Sequence, residues 1–154
     1  MSRAVAVREW AQRSAVGVAT FQPSMFAKLG GAVERVTGIG GVFFRSSEPE
    51  RLAAWYAQHL GLNCSPQGDV VWQQEAGPTV WAPFPQDSDY LGRPEQQVML
   101  NFRVRDLDAM LAQLHDAGID PDDEVVEAAG IGRFAHVRDP AGTRLELWEP
   151  PDDR

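Results

Sequence analysis

The sequence predicts an α+β protein with a mixed sheet, built from two βαβββ units. Three observations carry this. One order of signals occurs twice: strand, acidic helix start, helix, and then three short strands. A glycine between aliphatic or small residues stops each helix, as Leu60-Gly61-Leu62 and as Ala117-Gly118-Ile119. Finally, Asp139-Pro140-Ala141-Gly142 separates two alternating runs, the chemistry of a type I turn closing a hairpin.

Composition bounds the function. The chain has 154 residues, 44% hydrophobic and 23% charged, enough to bury the core of one domain. Its formal net charge of −8 argues against nucleic acid or an anionic membrane surface as the main partner. The acidity concentrates in Asp116–Glu127 and in Asp152-Asp153, both expected to be solvated. Cys64 is the only cysteine, so no internal disulfide is possible and a cytoplasmic location is expected. No activating signature surrounds it in Asn63-Cys64-Ser65. No apolar run has the length of a membrane span.

Residues 1–37 are expected to be an N-terminal extension, partly disordered or with a short helix over Val5–Val16. Met1–Phe26 carries Arg3, Arg8 and Arg13 against the single acid Glu9, a faint likeness to a transit peptide. A start of translation at Met25 is a further reading.

Module 1 is expected over residues 38–84. Gly38–Arg45 alternates as a strand, with Val42 and Phe44 opposite Phe43 and Arg45. Its glycines open a strand and not a helix, which excludes a nucleotide loop. Ser47 is the expected cap of the next helix, with Pro49 in its first turn and Leu52, Trp55, Tyr56 and Leu60 on its apolar face. Short strands are expected at Leu62–Ser65, Val70–Glu75 and Thr79–Phe84. Residues 85–96 form a polar loop in which Tyr90 and Leu91 are the large apolar residues.

Module 2 is expected over residues 97–150, followed by a tail at 151–154. Gln97–Arg105 alternates most clearly. Asp106 can cap a helix whose stripe is Leu107, Met110, Leu111 and Leu114. Glu124–Ala128 is a further strand. In the hairpin, Ala135, Val137, Leu145 and Leu147 share the core face. Phe134, His136, Arg138, Arg144, Glu146 and Trp148 take the other.

Ala54-Trp55-Tyr56-Ala57-Gln58-His59-Leu60-Gly61-Leu62, Val104-Arg105-Asp106-Leu107-Asp108 and Asp139-Pro140-Ala141-Gly142-Thr143-Arg144-Leu145-Glu146-Leu147 resemble the vicinal-oxygen-chelate superfamily. That superfamily includes glyoxalase I, bleomycin-resistance proteins and extradiol dioxygenases. The resemblance spans Gly38 to Pro150. It implies two βαβββ modules curled into a cup-shaped mixed sheet with helices outside, often in a homodimer. It also implies four metal-ligand positions, which fall on Gly41, on or beside Trp81, on Met99 and on Glu146. Only Glu146 retains a suitable donor, and one carboxylate does not hold a divalent ion. No cofactor is therefore expected. His136 beside Glu146 is the residue that could rebuild a metal pair, and a histidine bonded to Glu146 or solvent is the favoured reading.

Alternation, carried onto the cup, gives a lining of Phe43, Arg45, Trp81, Met99, Asn101, Arg103, Phe134, His136, Glu146 and Trp148. Aromatic and thioether surface with a few polar groups suits a small organic ligand. Phe43, Trp81, Phe134 and Trp148 would be its walls, and Arg103 or Arg45 would meet an anionic or carbonyl group. Arg103, Asn101 and Glu146 could instead satisfy one another, as an ion pair bridged by the amide. An enzymatic alternative makes Glu146 the general base and His136 the acid of a metal-independent lyase or isomerase, with Arg103 stabilising an enolate. A third reading is a dimerising module without a ligand, its Val70–Glu75 edges paired across two copies.

Overall fold

The hairpin around Asp139 lies at the centre of the sheet. The computed structural model describes residues 34–151. The N-terminal extension up to residue 33 and the tail from residue 152 lie outside the described residues. The elements are α1 (Pro49–Leu60), β1 (Leu100–Arg103), α2 (Leu107–Asp116), β2 (Val126–Ala128), β3 (Gly132–Arg138) and β4 (Arg144–Glu149). They form an α+β fold with one open four-stranded mixed sheet in the order β1-β4-β3-β2. β1 runs parallel to β4, while β2–β3 and β3–β4 are antiparallel.

The turn between β3 and β4 forms as its residues dictate. Gly142 donates its N–H to the carbonyl of Asp139 at 2.8 Å. The Asp139 Oδ1 accepts from the N–H groups of Ala141 and Thr143, both at 2.9 Å. Aspartate mimics a backbone acceptor in this way, which is why it suits the first position of such a turn.

Both helices obey the expected stop signals. Gly61 ends α1 in the left-handed region at φ 68°, where its N–H bonds the Tyr56 carbonyl. Asp106 caps α2, accepting from the Ala109 N–H at 2.8 Å. The start of α1 differs from expectation. Glu48, not Ser47, is the capping position and makes no side-chain cap; Ser46 Oγ accepts from its N–H at 3.1 Å. Pro49, which has no N–H to satisfy, occupies the first helical position.

One face of the sheet and the inner faces of the helices make the core. Leu52 and Tyr56 from α1, Leu107 and Leu114 from α2, and Ala135, Val137, Leu145 and Leu147 from the hairpin are all buried together. Leu100 and Phe102 of β1 pack against them. Each fully buried aliphatic side chain contributes about 1.5–3 kcal/mol, so this face holds the helices to the sheet. The opposite face carries Phe134, His136, Glu146 and Trp148, which are also buried, beneath side chains of the 84–99 region.

The expected strands of module 1 are not formed. No strand occurs among described residues 34–99. The physical reason is pairing. The sheet is built as β1-β4-β3-β2 without segments 38–45, 62–65, 70–75 and 79–84, which have no ladder partner among the described residues. Leu62, Cys64 and Phe84 still pack against the core, but other apolar side chains of these segments stay in solvent: Phe43 is 93% exposed and Trp81 87%.

Candidate functional site

Register builds the site. Asn101 on β1, Glu146 on β4 and His136 on β3 are Cα partners in one row across three strands. Period-two alternation turns all three toward the face away from the helices. The Asn101 Nδ2 donates to Glu146 Oε1 at 2.5 Å. His136 Nε2 lies 3.0 Å from Glu146 Oε2, and the Tyr90 hydroxyl donates to the same oxygen. Glu146 is 4% exposed and His136 3%. A carboxylate this deep needs hydrogen-bonded partners, and it has three.

Tyr90 comes from the loop at 85–96 and closes the row from above. Its ring stacks on Phe84 at 4.9 Å and meets His136 edge-on at 5.4 Å. Burial, and then the Glu146 charge that its hydroxyl touches, push the phenol well above its ordinary pKa. Tyr90 was absent from the expected lining. Its signal was that it is the aromatic residue of an otherwise polar loop.

The row continues as alternating charge. His136 Nδ1 faces Asp123 Oδ2 at 3.4 Å. Asp123 also accepts from the Arg144 guanidinium at 2.5 Å, and Asp122 pairs with Arg138 at 2.9 Å. Arg144 is 1% exposed, so these carboxylates compensate a buried cation. Asp122 and Asp123 thus depart from the expectation of a merely solvated acidic run. They are the part of it that folds back onto the hairpin.

Other expected residues are placed as follows. Phe134 and Trp148 stack on each other with centroids 6.1 Å apart and planes parallel within 1°. Met99 packs against this pair and Tyr90. Phe43, Arg45 and Trp81 are not brought to the site; all three are exposed, because the segments that carry them do not join the sheet. The expected Arg103–Glu146 pair does not form either. Arg103 lies opposite Trp148, two residues along from Glu146. It donates instead to the carbonyls of Glu75 at 2.8 Å and Ala76 at 3.3 Å. Gly77 is required for that reach: a Cβ there would stand 1.3 Å from the guanidinium.

Beside the buried row is a cleft of about 490 Å³. Arg103, Trp148, Gly130, Ile131, Gly77 and Val80 are among the residues that line it. Glu146 and His136 do not line it. The Trp148 indole N–H is already used, donating to the Ile131 carbonyl at 2.9 Å.

The donor set does not fit a divalent ion. Of the four ligand positions implied by the resemblance, Gly41 has no side chain, Trp81 is exposed, and Met99 is packed in an apolar cluster. Glu146 has its oxygens engaged by Asn101, His136 and Tyr90. Among the described residues no group of three or more His, Cys, Asp or Glu could hold a metal.

In chain order β1, α2, β2, β3 and β4, with the first and last strands paired in parallel and the others antiparallel, make one βαβββ unit, the building block of the vicinal-oxygen-chelate class. The glyoxalase-like domain family matches residues 41–148, and the chain belongs to that family. Comparison with curated proteins finds no significant match. Among solved structures, the chain is similar to TnmS3, an antibiotic binding protein from Streptomyces sp. CB03234. Identity is 25% over 68% of this chain and 88% of that one, with a TM-score of 0.42. It is also similar to the virulence protein STM3117 from Salmonella typhimurium, at 18% identity over 66% and 86% of the two chains and a TM-score of 0.40. A match to a conserved domain protein covers 35% of this chain and 47% of that one, at 20% identity and a TM-score of 0.33.

Proposed function

We propose that this glyoxalase-like protein binds a small organic molecule without a divalent metal, in the cleft bounded by Arg103, Trp148, Ile131 and residues 76–80. The observation that carries the reading is the cleft itself: mixed polar and apolar walls with one charged side chain, Arg103, around a space of the size small ligands occupy. Met99, Phe134 and Asn101 support it from behind, by fixing Trp148 and the strand that carries Arg103.

The alternative, a metal-independent lyase or isomerase with Glu146 as base and His136 as acid, draws on their 3.0 Å contact. Against it, the carboxylate is already held by Asn101, Tyr90 and His136 and stands outside the cleft. The binding reading is therefore preferred. A homodimer fits the same picture. Val71, Trp81 and Phe43 are exposed apolar residues on unpaired segments, and a second copy would cover them and complete a second βαβββ module and the cup. In that assembly Phe43, Arg45 and Trp81 would regain the ligand-binding role expected of them.

A thermal-shift screen of aromatic metabolites tests the proposal, paired with Ile131→Trp to fill the cleft. Ligands that raise the melting temperature of the wild type should lose at least about tenfold in affinity in the filled variant, roughly 1.4 kcal/mol. Ligands that bind both proteins equally would place the site elsewhere.

A further inference from the structure

We infer that the cleft selects flat aromatic monoanions over neutral or cationic molecules of the same shape. The inference rests on the binding reading above and adds the sign of charge the ligand must carry.

The argument is a count of donors and charges. Among the described residues that line the cleft, Arg103 is the one ionisable side chain and none is a carboxylate. Its guanidinium has five N–H donors. Among the described residues its partners are the carbonyls of Glu75 and Ala76, so at least two donors are used and its charge meets no carboxylate. The acid nearest in sequence to that contact, Glu75, is engaged by Arg105. The cation therefore keeps its full charge and has donor capacity left.

The remaining wall carries no second charged side chain among the described residues. Pro78, Pro150 and Pro151 supply no backbone N–H. The indole N–H of Trp148 is committed to Ile131. Backbone groups of Ala76, Gly77, Val80 and Gly130 can add neutral contacts, but charge recognition falls to Arg103, while Ile131, Val80, Trp148 and the prolines supply apolar surface. A carboxylate matches a guanidinium in shape and charge. A ligand cation would meet like charge, and a second negative charge would find no partner. Both carry an unrepaid desolvation cost.

The test is calorimetric titration of the full chain with three probes of one shape: naphthoate, naphthamide and naphthylmethylammonium. Naphthoate should bind the wild type about tenfold or more tighter than naphthamide, with the ammonium weakest. Arg103→Gln should erase the preference, and Arg103→Lys should keep part of it. Because Arg103 also holds the 75–76 backbone, the wild-type ranking stands as a readout independent of either variant. Equal binding of naphthoate and naphthamide would overturn the charge selectivity while leaving the cleft a binding site. Failure of all three probes to bind would overturn the inference; if the metabolite screen also gave no stabilising ligand, the binding reading would fall with it.

Discussion

The phenol of Tyr56 donates to Asp139 Oδ2 at 3.0 Å, joining α1 to the hairpin turn across 83 positions of sequence. Both residues are buried, Tyr56 at 4% exposure and Asp139 at 5%. One aspartate therefore serves two purposes. Oδ1 fixes the turn through Ala141 and Thr143, and Oδ2 ties that turn to a helix.

Tyr56→Phe isolates the second purpose. The ring still packs beside Trp55 and Phe102, but Oδ2 of a buried carboxylate loses its hydroxyl donor. Hydrogen bonds to buried charged groups are worth about 1.5–3 kcal/mol. Urea denaturation should show a loss of that size with an unchanged m-value. A loss below about 0.5 kcal/mol would mean water replaces the phenol and the tie is incidental.

Alkaline pH tests the same burial at two places. The sequence holds two tyrosines, Tyr56 and Tyr90. Burial first, and then a neighbouring carboxylate, raises both phenols above their ordinary value. A raised folded pKa means that the folded state holds its proton more tightly than the unfolded chain does. This stability is fully present below the unfolded value of about pH 10 and is lost as pH rises toward the folded values. Unfolding free energy should fall above about pH 10 by up to roughly 1.4 kcal/mol per pH unit for each tyrosine. Tyrosinate absorbance should appear with unfolding, not before it. Ionisation of either phenol near its ordinary pKa in still-folded protein would contradict the burial.

Glu146→Gln separates a structural carboxylate from a catalytic one. The amide preserves shape but removes the charge on which Asn101, Tyr90 and His136 converge. Its NH₂ must also face a group that donated to the carboxylate. The expected cost is about 2–4 kcal/mol in stability. Because Glu146 stands outside the cleft, affinity for a cleft ligand should change less than about threefold once the variant is folded. Unchanged stability together with abolished turnover of some substrate would instead favour the general-base reading.

The elements from β1 to β4 were legible in the residues because their signals act locally. Asp139-Pro140-Ala141-Gly142 sets a turn, Asp106 caps a helix, and Leu145 and Leu147 alternate with Glu146 and Trp148. Each of these is decided within a few positions. The contact between His136 and Glu146 followed from alternation once the hairpin was paired. Three features were not legible. Strands at 38–45 and 70–75 have the right alternation, but alternation supplies no partner. Arg103 shares a face with Glu146, yet its long side chain turns to carbonyls at 75 and 76, which no periodicity specifies. Tyr90 reaches Glu146 from a loop, across 56 positions, and loop trajectories have no period to read.

Two glycines with positive φ separate packing from conformation. Gly132 opens β3 at φ 125°, and a Cβ there would lie 2.1 Å from the Glu149 carbonyl oxygen and 2.7 Å from the Trp148 indole nitrogen. The first of these is backbone of the paired strand β4 and cannot move without breaking the ladder. Gly118, after α2, has φ 76° with nothing within 4 Å of an added Cβ. Gly118→Ala should thus cost only the left-handed penalty, about 1 kcal/mol. Gly132→Ala should cost about 3 kcal/mol or more, because it adds overpacking against a fixed strand and displaces Trp148 from Ile131. Thermal denaturation of the two variants in one buffer gives the comparison. Equal losses would mean that the start of β3 yields as readily as an open helix terminus. Trp148, which stacks on Phe134 and lines the cleft, would then be held far less firmly than its contacts indicate.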